Sequence, residues 1–281
     1  KKKEAYLSIK KLKQNKIPLI LLNARITKKT FSKWLAFKSL SQKIFSKISI
    51  AYPQNLETKY FLQKLKVKKI KTIGNLKFSE HDNGTMDKIN LKFKNKKIWI
   101  ASSTHYNEEI FCAKAHLELK KKVKNLLTIL IPRHVHRAKE IKSELESIKL
   151  NVINHSSNKK DSKNADIYIV DTFGETKKFH KIGCSVFIGG SIVNKGGQNP
   201  LEAARFGAKI LHGPNINNFK DVYKSLVGLK ISKKITTSKE LASAIIFKRN
   251  KKLGDKIKKV GVKILKETIN DLDKLIKNEF K

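Results

Sequence analysis

The sequence is poor in several features that define particular classes of protein. Its 281 residues include two cysteines, Cys112 and Cys184, which excludes a disulfide-stabilised secreted domain and fits a reducing compartment. No apolar run approaches the length of a membrane-spanning helix, so the sequence predicts none. No signal peptide follows Lys1, and the lack of an initiator Met predicts that the natural chain continues upstream. These absences favour a cytosolic setting.

Acidic residues are scarce as well, because 23 Asp and Glu face 63 Lys and Arg, for a formal net charge of +40. Such a surplus is typical of nucleic-acid-binding proteins. However, only five of the basic residues are Arg, the residue whose bidentate fork specific recognition of nucleic acid depends on. Lys is spread along the whole chain beside abundant Ile and Asn, which favours a compositional bias over specific nucleic-acid binding. If the charge has a use, we expect attraction to an anionic membrane surface.

Short apolar segments alternate with helical patterns along the chain. Strands are predicted at residues 17–23, 48–52, 67–73, 98–101, 126–131, 151–153, 167–170, 186–188 and 209–211. Helices are predicted at 31–45, 53–65 and 137–148, from Asn107, from Asn199-Pro200, and over most of the chain after Ser238. Strands that alternate with helices indicate βαβ units and therefore an α/β fold with a doubly wound parallel sheet.

A polar stretch at residues 79–95 contains the turn signal Asp82-Asn83-Gly84. We expect the domain boundary there, between a first domain at residues 1–85 and a second at residues 86–281.

Seven of the thirteen glycines fall between Gly183 and Gly213. Gly190 and Ser191 directly follow a predicted strand, and the same segment leads into the helix predicted from Asn199. A glycine-rich turn before a helix offers backbone N–H groups to an anion, and ligands of open α/β sheets bind beyond the carboxyl ends of strands. The segment therefore predicts a phosphate contact at Gly190 and Ser191.

Three further positions have chemistry that depends on where the predicted elements end. Glu202 lies in the first turn of the helix predicted from Asn199, where it either caps that helix or accepts the two hydroxyls of a ribose; the glycine-rich segment favours the ribose. Arg133 follows a predicted strand and is placed to hold a phosphate or carboxylate. Gly174, after another strand, permits close approach of the backbone to a ligand.

No metal or other cofactor is predicted. His134 and His136 lack a Cys or carboxylate at a ligand spacing. The string Asp271-Leu272-Asp273 lies in a basic helical segment without a glycine or strand end nearby, which favours surface charge.

Four strings, in this order, resemble the family of Kdo (3-deoxy-D-manno-octulosonic acid) transferases: Thr72–Phe78, Ile131–His134, Asp171–Glu175 and the segment from Gly189 to Glu202. Asn23-Ala24-Arg25 and Ala101–His105 also match, so the resemblance covers about residues 17–219. It implies the GT-B type of fold, in which two Rossmann-like domains face a common cleft. It further implies inverting transfer of Kdo from CMP-Kdo to a lipid A precursor during lipopolysaccharide synthesis, at the cytoplasmic face of the bacterial inner membrane.

The resemblance also implies roles for individual residues. CMP contacts are implied for Pro132, Arg133, Phe173, Gly174 and Glu175, and ribose contacts for Asn199, Pro200, Leu201 and Glu202. Lys77 is implied to stabilise charge in the transition state. The family's catalytic Glu has no counterpart here, and Glu4 does not fit the register of its second acidic residue. Residues 1–85 are therefore expected to be a remnant of the acceptor domain, and this chain alone to bind the donor without transferring it.

Two other functions remain open. One is a GT-B transferase for a UDP- or GDP-sugar, since binding of ribose and phosphate at a helix end is shared across the fold. Competition between CMP and UDP separates this alternative from Kdo transfer. The other is a non-enzymatic basic protein for nucleic acid or membranes, which salt-sensitive DNA binding independent of CMP would favour.

Overall fold

The computed structural model describes residues 7–79 except 10 and 13, residues 93 and 95–157, and residues 164–279. Contacts divide the chain into two units, Lys1–His81 with Lys258–Lys281, and Asp82–Ile257. Most of the polar stretch with the predicted boundary lies outside the described residues. The sequence assigned residues 258–281 to the second domain, whereas the contacts group them with the first unit.

After helical residues at 7–9, 11, 12 and 14, the described part of the first unit continues with a two-stranded parallel sheet and three further helices. These are β1 (Ile20–Ala24), α1 (Lys28–Leu35), α2 (Lys38–Phe45), β2 (Ile50–Pro53) and α3 (Leu56–Lys64), followed by a 3-10 turn at Leu76–Ser79. The single helix predicted at residues 31–45 is instead two helices, which break at Phe37.

Two predictions in this unit are wrong. Pro53 does not open a helix but ends β2, and α3 begins at Leu56 because the Asn55 side chain accepts a 2.8 Å hydrogen bond from the Thr58 N–H. Residues 67–73 were predicted as a strand, but the structure pairs Ile70 with Ala51 only as an isolated bridge.

The second unit alternates strands and helices. Its elements are β3 (Lys97–Thr104), α4 (Glu108–Lys120), β4 (Leu126–Pro132), α5 (Ala138–Ser147), β5 (Val152–Asn154), β6 (Ile167–Ile169), α6 (Thr176–His180), β7 (Ser185–Ile188), α7 (Leu201–Arg205), β8 (Lys209–His212), α8 (Lys220–Gly228), β9 (Ser232–Lys234) and α9 (Ser238–Ala244). Short 3-10 turns lie at Val135–Arg137 and His155–Ser157. The chain ends in the long helix α10 (Lys251–Glu279).

Strands β3 to β9 form one parallel sheet in the order β5-β6-β4-β3-β7-β8-β9. At its centre, Ile100 of β3 pairs with Ile129 of β4 on one side and with Val186 of β7 on the other. The chain builds outward from β3 through β4 and then returns to β7, so the direction of winding reverses between β3 and β7. The predicted α/β doubly wound fold is confirmed.

The central strands form because their apolar runs are buried on both faces of the sheet, as is usual for parallel sheets. All seven residues of β4 are buried, and Trp99 and Ile100 of β3 are fully inaccessible. β9 was missed because its sequence, Ser-Lys-Lys, is polar, as an edge strand can be.

Within the first unit, residues 258–279 of α10 are fixed by packing and by polar contacts. Ile264 and Thr268 are buried, and Gly261 lies against the Phe78 carbonyl so closely that a Cβ would not fit. Asp271 accepts a 2.7 Å hydrogen bond from the Tyr52 hydroxyl and forms an ion pair with Lys71. The Asp271-Leu272-Asp273 string thus anchors the helix through Asp271. None of the helices that the structure describes is long and apolar enough to cross a membrane.

Candidate functional site

The carboxyl ends of β3, β4 and β7 bring three of the sequence strings together in the second unit. The Arg133 N–H, just after β4, donates to the Thr104 carbonyl at the end of β3, at 2.9 Å. The Gly189 N–H, just after β7, donates to the Ser102 carbonyl at 2.8 Å. This edge is also where the winding of the sheet reverses, which is the usual ligand position in open α/β folds.

The glycine-rich turn after β7 is occupied by the carboxylate of Glu108, the first residue of α4. Glu108 is fully buried, and its two oxygens accept from the N–H groups of Gly190 at 2.6 Å, Ser191 at 3.0 Å and Ile192 at 2.9 Å. It also accepts from the His105 N–H at 3.0 Å. Converging backbone N–H groups are a general anion cradle, and here the anion is part of the protein.

The N–H groups of Gly190 and Ser191 are therefore not available to a donor phosphate in this structure. The Ser191 hydroxyl is buried too, donates to the Ile188 carbonyl and accepts from the Gly213 N–H at 2.8 Å. The expected phosphate contact at these two residues is corrected to an internal contact with Glu108. The helix beyond them, α7, is only five residues long, so its dipole is small.

Basic side chains surround the cradle. Arg133 is exposed, and His105 beside it is half-buried, with its ring 5.8 Å from that of His134. Burial lowers the pKa of His105; Glu108 opposes this, while the positive charges of His134, Lys195 and Arg133 reinforce it. Because this edge gathers basic groups next to a carboxylate that is already satisfied, it favours an added anion at Arg133.

His105, His134 and His136 lie close together, with the last two rings 5.6 Å apart. Over the described part of the chain, no group of three or more His, Cys, Asp or Glu is arranged to hold a metal ion.

Glu202 lies beside this edge and is held by a histidine that the sequence did not single out. Its Oε1 is 3.2 Å from Nδ1 of His180, whose Nε2 is 2.9 Å from the Ser102 hydroxyl. Burial raises the pKa of Glu202, but the hydrogen bond and charge of His180, with Lys177 and Arg205, outweigh it and leave that pKa below its usual value. Glu202 is thus kept as a carboxylate.

The other residues that were predicted to contact the nucleotide divide into an exposed group and a buried group. Phe173 is 81% exposed, Gly174 has a φ of +83° with open space around it, and Glu175 pairs with Lys178 at 3.1 Å. Pro132, Pro200 and Leu201 are buried, and the Asn199 side chain accepts from the Leu201 N–H at 3.1 Å. The buried residues can fix the course of the backbone, whereas the exposed residues leave side-chain and backbone atoms accessible to a ligand.

Lys77 belongs to the first unit and is half-buried in the 3-10 turn at Leu76–Ser79. The turn is held by the side chain of Asn23, which accepts from the Leu76 N–H at 3.1 Å. Two of the strings noted in the sequence, around Asn23 and Lys77, are therefore in direct contact.

Comparisons with known proteins find the same family that the sequence motifs resemble. Residues 6–80 match the family described as 3-Deoxy-D-manno-octulosonic-acid transferase (kdotransferase). The chain is 29% identical over 269 residues to the 3-deoxy-D-manno-octulosonic acid transferase of Haemophilus influenzae, covering 92% of this chain and 63% of that protein. It is 32% identical over 233 residues to the enzyme of the same name from Rickettsia conorii, covering 82% and 50%. The chain thus spans 50–63% of the length of these two relatives.

Solved structures share the fold. The C-terminal CMP-Kdo binding domain of WaaA from Acinetobacter baumannii matches with a TM-score of 0.52 and 20% identity, over 62% of this chain and 91% of that domain. Anabaena HepE in complex with UDP and glucose matches with a TM-score of 0.54 and 12% identity, over 98% and 76%. These likenesses establish an α/β fold of GT-B type. In sequence, the chain is similar over most of its length to 3-deoxy-D-manno-octulosonic acid transferases.

Proposed function

We propose that the second unit binds CMP-Kdo, as the donor half of an enzyme that transfers Kdo to a lipid A precursor. One observation carries the proposal: an exposed Arg133 and the Glu202 carboxylate lie at the same edge of the sheet. His180 fixes that carboxylate by a contact of 3.2 Å. An Arg binds a phosphate through charge-assisted hydrogen bonds, and a fixed carboxylate accepts ribose hydroxyls. The similar domain of Acinetobacter baumannii WaaA is a CMP-Kdo binding domain, which supports the same donor.

The filled cradle favours a nucleoside monophosphate over a diphosphate. In a glycine-rich turn with free N–H groups, a second phosphate would find several backbone donors. Here Glu108 occupies those donors, which leaves Arg133 and its basic neighbours for the phosphate. CMP has one phosphate, so this arrangement fits it better than UDP or GDP. Equal competition by UDP and CMP would instead favour the alternative donor.

The proposals of a lipid acceptor and of a membrane surface depend on features of the first unit. Val262, Ile269 and Ile276 of α10 are 47–48% exposed and recur every seven residues, which places them on one face of the helix. Lys263 and Lys266 lie beside them and are exposed. An exposed apolar stripe with flanking Lys suits an anionic lipid surface. We propose that the protein works at the cytoplasmic face of the inner membrane, where its acceptor would be.

Arg133→Ala is expected to weaken CMP binding about 10- to 150-fold, because a charge-assisted hydrogen bond contributes about 1.5–3 kcal/mol. Isothermal titration calorimetry with CMP measures the change. Lys139→Ala is the matched control, since it removes an exposed positive charge nearby on α5 without touching the proposed site. Equal affinity in wild type and Arg133→Ala would remove Arg133 from the proposal.

CMP binding is expected to persist in EDTA, because the phosphate is assigned to Arg133 and not to a metal. The measurement is CMP affinity before and after chelation, with Mg²⁺ added back. A large loss in chelator that Mg²⁺ restores would show that a metal takes part in binding.

A further inference from the structure

His180 lies between two polar side chains that belong to separate sequence strings. It is the last residue of α6 and is 2% exposed. Its Nδ1 is 3.2 Å from Glu202 Oε1, which is 22 residues along the chain, and its Nε2 is 2.9 Å from Ser102 Oγ, which is 78 residues away. The string at Ser102, the helix that follows Glu175, and the string that contains Glu202 are thus joined through one ring.

The chemistry of Glu202 fixes the direction of one of the two hydrogen bonds. A carboxylate only accepts, so Nδ1, which faces Glu202, carries the hydrogen. Nε2 shares the second hydrogen bond with the Ser102 hydroxyl, which donates to a neutral ring and accepts from a protonated one. Ser102 is itself buried at the carboxyl end of β3, with its carbonyl bonded to the Gly189 N–H. The carboxylate is therefore tied, through the ring, to the central strand of the sheet.

A comparison within the same unit separates a positioning role from an ordinary core contact. His116 is also fully buried between a hydroxyl, Thr128 at 2.8 Å, and a carboxylate, Asp166 at 3.5 Å. Asp166, however, is already bound by Lys120 and by the Asn151 N–H. Glu202 differs because its side chain stays 27% exposed, and one carboxylate oxygen facing His180 leaves it capacity to accept further hydrogen bonds.

We propose that His180, backed by Ser102, is a positioning residue that orients the Glu202 carboxylate to accept the ribose hydroxyls of the donor nucleotide. The inference rests on the proposed binding of a cytidine nucleotide. A Glu side chain has several rotamers in water, and locking one of them by a buried partner reduces the entropy lost on binding. The benefit grows with the number of ribose hydroxyls that Glu202 accepts, and a 2′-deoxynucleotide keeps only the 3′-hydroxyl, so His180 contributes to the preference for ribose over deoxyribose.

The test compares CMP with 2′-deoxy-CMP by calorimetry, because their affinity ratio isolates the hydroxyl contact. Wild type is expected to prefer CMP. His180→Phe, which roughly keeps the ring volume, is expected to weaken CMP binding about 10-fold and 2′-deoxy-CMP binding less, since the contribution of the 2′-hydroxyl, about one hydrogen bond, is lost only for CMP. Glu202→Gln should remove the same preference. His180→Asn keeps an N–H near the position of Nδ1 and should restore part of it.

Two controls separate this role from general damage. His116→Phe removes the comparable buried histidine and is expected to lower stability but leave the CMP to 2′-deoxy-CMP ratio unchanged. Arg133→Ala should weaken both nucleotides equally. If His180→Phe fails to fold, Ser102→Ala, which removes only a hydroxyl, is expected to reduce the ratio in a folded protein.

Each outcome has a distinct meaning. Folded His180→Phe or Ser102→Ala with the wild-type ratio would overturn the inference and leave the proposed function intact. A wild type that binds both nucleotides equally would overturn the ribose role of Glu202 and with it that of His180. A wild type that binds neither nucleotide would overturn the proposed function itself.

Discussion

Glu108→Ala is expected to lower the free energy of unfolding of the second unit by about 3–6 kcal/mol, enough to unfold a marginally stable domain. The substitution leaves the N–H groups of Gly190, Ser191, Ile192 and His105 without their acceptor. Each unsatisfied buried donor costs about 1–3 kcal/mol, and water that enters the vacated space offsets part of the sum.

Urea unfolding followed by circular dichroism measures the effect. Glu108→Gln should be intermediate, because its amide oxygen still accepts but its NH₂ group faces backbone donors. Glu118→Ala is the control on the same helix, since Glu118 pairs at the surface with Lys121 and should leave the midpoint unchanged. A Glu108→Ala midpoint equal to that of the control would mean that the cradle N–H groups find other acceptors at little cost.

The 281-residue chain by itself is expected to form no Kdo-transfer product above the rate without enzyme. An inverting displacement requires a base to take the acceptor proton, and the sequence has no counterpart of the family's catalytic Glu. None of four described acids of the first unit is placed as such a base: Glu57 and Asp273 are exposed, Asp271 is bound by Tyr52 and Lys71, and Glu267 lies 3.8 Å from Lys263. Loss of the base and of acceptor positioning compound each other.

The assay incubates the chain with CMP-Kdo and a lipid A precursor and follows the product by mass spectrometry. The Haemophilus influenzae relative, under the same conditions, serves as the positive control. CMP binding measured on the same sample shows that the donor site is intact. Product well above the background rate would contradict the expectation and would require a base within these 281 residues.

Most strands of the second unit could be predicted from the sequence, because a strand buried on both faces reads as a continuous apolar run. The predicted run at residues 126–131 is β4 almost residue for residue. The prediction that Pro53 opens a helix was wrong because proline is acceptable both in a first helical turn and at the end of an edge strand. The local sequence favours neither position. Only Asn55 and its bond to the Thr58 N–H decide where α3 begins.

The candidate site was predictable in outline but not in its internal contacts. The glycines near Gly190 predicted backbone N–H groups that bind a donor phosphate, and in the structure these N–H groups bind a carboxylate of the protein instead. Nothing local in the sequence indicates that the anion is Glu108, which lies 82 residues earlier than Gly190. His180 was missed for the same reason, since a histidine at the end of a five-residue helix has no pattern that marks it. Side-chain contacts across a sheet depend on the register of strands, which a single sequence does not reveal.

The occupied cradle also bears on how the protein is made. Gly190 follows Glu108 by 82 residues. At a synthesis rate of roughly 5–20 residues per second, the N–H groups that bind the Glu108 carboxylate are therefore made about 4–16 s after Glu108. Over the same interval the edge of β3 that will receive β7 is an unpaired apolar strand, which is a template for association with other chains. The pairing of β3 with β7 and the filling of the cradle by Glu108 therefore become possible only after Gly190 has been synthesised, and until then the exposed edge of β3 favours association with other chains.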